Sequence, residues 1–189
     1  MIVIIGESAS GKSTLQKMLI KDDSKYKKVV TYTTRPKRNG EIDNVDYHFV
    51  SQSTFDKLVN ADFFLEHAKY RGWCYGTAKE DCKDKNSVAV LTPAGLRALK
   101  RLDFETTSIY LYVDRRSRLI RILERGDNID EAYRRNLSDV GQFDEVDKEV
   151  DYVIDNTKFH MSKIQVLKCL KEILNTESQK TRIFNNKQT

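Results

Sequence analysis

Cysteine is scarce in this chain of 189 residues: Cys74, Cys82 and Cys169 are odd in number and show no paired spacing. A disulfide framework and a zinc site are therefore not expected, and buried or half-exposed thiols are. Long apolar runs are missing as well. Nothing approaches the ~20 residues that cross a bilayer, so no membrane partner is expected. The start of the chain has neither the basic residues nor the apolar core of a secretory signal, because MIVII is short and leads straight into a glycine-rich loop, and a cytoplasmic location is the expectation. There is no internal repeat and no low-complexity tract. Aromatic and basic residues do not interleave as an RNA-binding sheet requires. The net charge of +5 fits nucleic acid and polyphosphate substrates equally, and without that interleaving a nucleic-acid partner is not expected.

What is present is ordinary for a globular protein, with 39% hydrophobic and 32% charged residues and enough length for one core with small insertions. Residues 2–5 are apolar and largely β-branched, residues 6–11 are small and polar, and Leu15, Met18 and Leu19 recur at helical spacing. That order reads strand, loop, helix. Gly6-x-x-x-x-Gly11-Lys12-Ser13 is a P-loop in its required context: glycines let backbone N–H groups curl around phosphate oxygens at the positive end of a helix. Gly6, Ser8, Ala9, Ser10, Gly11, Lys12, Ser13 and Thr14 are the expected ATP-binding residues, with Lys12 reaching the terminal phosphates and the Ser13 hydroxyl binding Mg²⁺.

Further along, KKVVTYTTR (27–35) and DYHFV (46–50) read as strands, and 53–59 as a short helix capped by Ser53 or Thr54. Residues 63–70 and 73–77 read as two strands around Gly72. SVAVLT (87–92) and TSIYLYV (107–113) are continuous apolar runs suited to strands buried on both faces of a parallel sheet. Helices are expected at 94–102, at 115–125 ending on Gly126, and at 160–174, with a short strand at 151–155. Residues 130–149 look helical but have few apolar anchors, which predicts a mobile or solvent-facing segment. The expected fold is α/β: a parallel P-loop sheet flanked by helices, with core segments 1–30, 85–120 and 148–176. A strand-rich insertion over 31–84, a helical lid over 121–147 and a frayed tail over 177–189 complete it.

Arg35 and Arg38, three apart around Pro36, suit a forked grip on the monophosphate of an acceptor nucleotide. Arg118, Arg121 and Arg125 share one helix face, either a solvated basic face or a cluster around a migrating phosphoryl group. The run TYTTRPKRNGE (31–41), then Asp46-Tyr47-His48-Phe49, Phe64-Leu65-Glu66 and Tyr75-Gly76-Thr77 resembles the guanylate kinase family, whose motifs TTR-x-x-R-x-G-E, D-Y-x-F, F-x-E and Y-G-S/T follow in this order. The likeness resumes at Arg121-x-x-x-Arg125-Gly126 and at 151–156.

The resemblance implies an ATP-dependent, Mg²⁺-requiring transfer to GMP or dGMP. The implied acceptor site is Thr31, Arg35, Arg38, Glu41, Tyr47, Glu66, Tyr75, Gly76, Thr77 and Thr92. Within it Tyr47 and Tyr75 donate to the acceptor phosphate, Glu66 accepts from guanine N1–H and the exocyclic amine, and Thr31 and Thr77 donate to O6. Lys12, Arg121 and Arg125 are the implied catalytic side chains with Arg135 or Arg134 as a further lid residue, and Asn156 lies near the ATP base. The family usually carries D-x-D where this chain has Val90 and Thr92, which leaves two alternatives open beside a guanylate kinase. One is a kinase of different or broader base preference, and the other a GMP-binding or protein-interaction module without turnover.

Overall fold

The apolar run at the start of the chain becomes β1 (Ile2–Ile5), buried at every residue. In the computed structural model, which describes residues 1–38, 40–70, 72–124, 126 and 129–185 (side chains of 131, 132, 135, 138 and 178–185 excepted), β1 is the centre of a five-stranded sheet. Its order is β2 (Lys27–Lys28), β7 (Ser87–Val90), β1, β8 (Thr107–Tyr112), β9 (Tyr152–Asp155), all parallel. Alternation sorts the two faces. Ile2 and Ile4 join Leu15 and Leu19 of α1 (Lys12–Asp22) and Val166, Leu170 and Leu174 of α7 (Lys163–Asn185). Val3 and Ile5 join Leu96 and Leu99 of α3 (Pro93–Arg101) together with Val146. With helices on both faces, the strands read as continuous apolar runs, and the loop after β1 emerges between two neighbouring strands, where α/β sheets bind ligands.

The stretch 27–35, expected as one strand, divides between two sheets. Lys27 and Lys28 pair with β7, whereas β3 (Tyr32–Thr33) enters a second sheet ordered β4 (His48–Phe49), β3, β6 (Trp73–Ala78), β5 (Phe64–Tyr70). β-Branched residues suit either sheet, so composition does not mark the crossing at Val29, whose N–H donates to Val88. β5 and β6 form an antiparallel hairpin, with Gly72 at φ 79° in the turn.

α2 (Gln52–Asn60) covers this sheet through Phe55, whose ring stacks on Phe64 at 4.8 Å. Its cap is Ser51, accepting from the Thr54 N–H, rather than Ser53 or Thr54. Three nearby hydroxyls are equivalent in sequence, and only Ser51 has the extended backbone of a cap. α3 is capped by Thr92, which accepts from the Gly95 N–H, with Pro93 in the first turn.

After α4 (Arg115–Glu124), the segment expected as one solvent-facing helix is two, α5 (Ile129–Asp139) and α6 (Val146–Glu149), separated by a turn with Gly141 at φ 78°. It is anchored at Asn136, Asp139 and Val146, all buried. Two of these anchors are polar and so invisible to a search for apolar stripes. α7 continues to Asn185, past the predicted fraying point, because no glycine or proline interrupts 163–185.

Candidate active site

The P-loop leaves β1 at Gly6, where a Cβ would lie 2.6 Å from the Leu111 carbonyl oxygen and 2.7 Å from Ser10 Oγ, so only glycine fits. Ala9 and Gly11 both have positive φ, 64° and 110°, turning successive N–H groups inward. Lys12 Nζ donates to the Glu7 carbonyl at 2.7 Å across the loop. The Ser13 hydroxyl belongs to an exposed residue facing the same cleft.

That cleft, about 240 Å³, runs between the P-loop and the second sheet. Arg35 is buried on its far side, donating to both carboxylate oxygens of Glu41 at 2.8 and 3.0 Å and to the Pro36 carbonyl at 2.7 Å. Its guanidinium lies 5.3 Å over the Tyr47 ring and 5.5 Å over Phe49. Glu41 also accepts from the Arg38 N–H at 2.8 Å. The two arginines are thus held by one acid, with Tyr47 and Tyr75 beside them, their rings 6.3 Å apart. Desolvation pushes the Tyr47 phenol up from its ordinary value, which keeps it a hydrogen-bond donor.

Glu66, on β5, lines the cleft from the side of the second sheet and is 5% exposed. Burial pushes its carboxyl up to about 7, against the opposing hydrogen bond from the Thr77 hydroxyl to Oε1 at 2.5 Å. A Cβ on Gly95 would stand 3.0 Å from Oε2, so α3 approaches the acid only because residue 95 is glycine. Thr31 and Thr77 are buried nearby, and Gly76 is too close to the Phe64 ring for any Cβ. Val90 and Thr92 line the same cleft, the Thr92 oxygen being engaged as the α3 cap.

A second cavity of about 680 Å³ opens on the other side of the loop, between Gly11, Thr14, Arg121 and the turn at 156–162. Arg121 lies 4.7 Å over the Phe159 ring and donates to the Ala9 carbonyl at 3.3 Å. Asn156 lines this cavity, but its amide holds the turn together, accepting from the Met161 N–H at 2.8 Å and donating to the Met161 carbonyl at 3.3 Å. Arg125 lies outside the described residues, as does the side chain of Arg135, whereas Arg134 is exposed on α5.

Sequence reasoning missed a buried polar group behind the loop. Arg118, read as either solvated or catalytic, is 5% exposed. It donates to the Val113 carbonyl at 2.9 Å, stands 3.5 Å from Glu7 Oε1 and from Asp139 Oδ2, and reaches the Ser8 carbonyl at 3.4 Å. Burial raises the Glu7 carboxyl, with Arg118 opposing. Asp139 further accepts from the Ser8 N–H and from the Tyr70 hydroxyl. An acid inside a phosphate loop was the one visible signal for this cluster.

Among the described residues no group of three or more His, Cys, Asp or Glu could hold a metal ion. Beside the P-loop lysine the Ser13 and Thr14 hydroxyls face the cleft, which suits an ion that arrives with phosphate oxygens.

The family model for guanylate kinase matches residues 1–177. A guanylate kinase of Thiobacillus denitrificans is 31% identical over 184 residues, covering 94% of this chain and 88% of its own. One of Blochmanniella floridana is 32% identical, covering 86% and 81%, and one of Symbiobacterium thermophilum is 32% identical, covering 82% and 77%. The crystal structure of guanylate kinase from Anaplasma phagocytophilum superposes with a TM-score of 0.67 at 20% identity, over 94% of this chain and 85% of that one, a likeness of fold.

Proposed function

This chain belongs to the guanylate kinase family, and from that premise we propose that it transfers the terminal phosphoryl group of ATP to GMP or dGMP, giving ADP and GDP or dGDP. The observation that carries the reading is the cleft itself: a P-loop at one end, a buried carboxylate at the other, and two arginines locked on one glutamate between them. Guanine presents two adjacent donors, N1–H and the amine, and Glu66 offers two acceptor oxygens. Thr77 already spends its proton on Glu66, so Thr31 is the better placed hydroxyl to donate to guanine O6.

Arg35, Arg38, Tyr47 and Tyr75 would hold the acceptor phosphate, whose oxygen attacks the γ-phosphorus while the bond to the ADP oxygen breaks. No side chain need become covalently attached. The chain supplies position and positive charge, from Lys12, Arg121 and the lid arginines, in the cleft between the P-loop and the second sheet. Mg²⁺ bound by the phosphates with the Ser13 hydroxyl would offset charge on the nucleotide. Asn156 and the turn it holds would border the ATP base. A cytoplasmic site of action belongs to this reading; no helix among the described residues is long and apolar enough to cross a membrane.

The test is ADP release with ATP, Mg²⁺ and a panel of ribo- and deoxynucleoside monophosphates, with Lys12→Ala as the blank. Turnover confined to GMP and dGMP supports the reading, and none on any acceptor refutes it. One observation favours a second reading of broader base choice: Val90 and Thr92 add no carboxylate beside Glu66, and the Thr92 oxygen is engaged by α3. Comparable turnover of IMP, which lacks the exocyclic amine, would establish that reading.

A further inference from the structure

Three parts of the molecule meet at a carboxylate that phosphoryl transfer as described above does not use. Asp139 ends α5 in the lid and is 5% exposed. Its Oδ2 accepts from the backbone N–H of Ser8 in the P-loop at 3.1 Å and lies 3.5 Å from the Arg118 guanidinium. Its Oδ1 accepts from the hydroxyl of Tyr70, the last residue of β5, at 2.6 Å. Tyr70 and Asp139 both face the cleft.

From Tyr70 the contacts continue into the acceptor side. Its ring packs edge-on against Tyr75 at 6.3 Å, Tyr75 packs likewise against Tyr47 at 6.3 Å, and Tyr47 lies under the Arg35 guanidinium at 5.3 Å. One unbroken series of side chains therefore joins the arginine that would hold the acceptor phosphate to an N–H of the loop that would hold the donor phosphates. The partners at its crucial joint are 69 and 131 residues from Asp139 in sequence, so no local structure enforces it.

We propose that Tyr70 and Asp139 are positioning residues that couple acceptor occupancy to the geometry of the P-loop. The proposal rests on the acceptor reading above. Asp139 orients the Ser8 N–H directly, and Tyr70 fixes the carboxylate from the side of the second sheet. An acceptor that orders the Arg35, Tyr47 and Tyr75 cluster orders Tyr70 with it, and the donor nucleotide then meets a loop whose ordering cost has already been met. Linkage makes the effect reciprocal: whatever factor GMP contributes to donor binding, the donor contributes to GMP binding.

The experiment is calorimetric titration of a non-hydrolysable ATP analogue into the full chain, with and without saturating GMP, for wild type, Tyr70→Phe, Asp139→Asn and the double variant. GMP is expected to tighten analogue binding about tenfold in wild type. Tyr70→Phe should bring that ratio close to unity while leaving the affinity for GMP alone little changed, and the double variant should do no more than either single one. Tyr70→Phe keeps the ring packing and the charge opposite Arg118, so the test stands even where Asp139→Asn folds poorly. A ratio in Tyr70→Phe equal to that of wild type overturns the proposal alone, as does a wild-type ratio of unity. Wild type that binds no GMP overturns the acceptor reading, and the proposal with it.

Discussion

Replacing Glu66 by glutamine should remove a pH dependence that the wild-type protein carries both in stability and in acceptor binding. The carboxyl is 5% exposed and lifted to about 7 from an ordinary 4.5, chiefly by burial, with the Thr77 hydrogen bond opposing. Its folded value lies above its unfolded one, so the folded state binds this proton more tightly. The contribution is therefore fully present below pH 4.5 and is lost as pH rises to 7, amounting to roughly 3 kcal/mol. For a chain of this size that is roughly 6–12 °C in Tm. Thermal melts of wild type and Glu66→Gln without nucleotide, at intervals from pH 4.5 to 8, read the difference directly, because other titrating groups are common to both.

Binding should show the complementary trend. Guanine's two donors need the ionised carboxylate, so acceptor KM is expected to rise about tenfold per pH unit below 7 and to level off above it. Glu66→Gln should bind GMP weakly at every pH, with a flat profile. If the difference in Tm between the two proteins did not change with pH, Glu66 would be an ordinary carboxylate and its burial would lack the consequence argued for it. If KM in wild type did not change between pH 6 and 8, Glu66 would not be the group that reads the base.

Gly95→Ala places a methyl group 3.0 Å from Glu66 Oε2, and should raise the KM for GMP with a much smaller change in the KM for ATP, measured by steady-state turnover. Ala9 holds φ 64° without being glycine, so Ala9→Gly should raise stability by about 0.5–1 kcal/mol in urea unfolding; a loss would show that the alanine methyl packs usefully. Arg118→Met leaves Glu7 and Asp139 buried without their cation and should cost about 3–5 kcal/mol by the same measurement, whereas an effect below about 1 kcal/mol would mean that water or neighbouring groups replace it.

Much of the site was legible because it is local in the chain. The P-loop motif is eight consecutive residues, Gly6 to Ser13, which backbone chemistry reveals, and Arg35 and Arg38 stand three apart around Pro36, whereas Glu41 was implied only by the family resemblance. Element types were legible for the same reason, as the burial of β1, β7 and β8 follows their apolar runs. Legibility failed where equivalent residues competed or where the relevant partner was distant. Ser51, Ser53 and Thr54 are interchangeable as caps until the backbone chooses. The run 27–35 changes sheets with no change in composition. Arg118 carries the same signal on α4 as Arg121, yet one is buried behind the loop and the other lies across its face.

The chain alone made legible a P-loop motif after a first strand and a parallel α/β core. It did so because phosphate binding needs only a short loop, and strands and helices need only periodicity. Only the packing of distant segments brought Glu7, Arg118 and Asp139 into one buried cluster, with the half-buried Tyr70 against it. It also decided that Gly95 would let α3 close on Glu66. Those contacts join residues up to 131 apart, and their partners are set by which strands lie side by side in the sheet, a fact that no window of sequence contains.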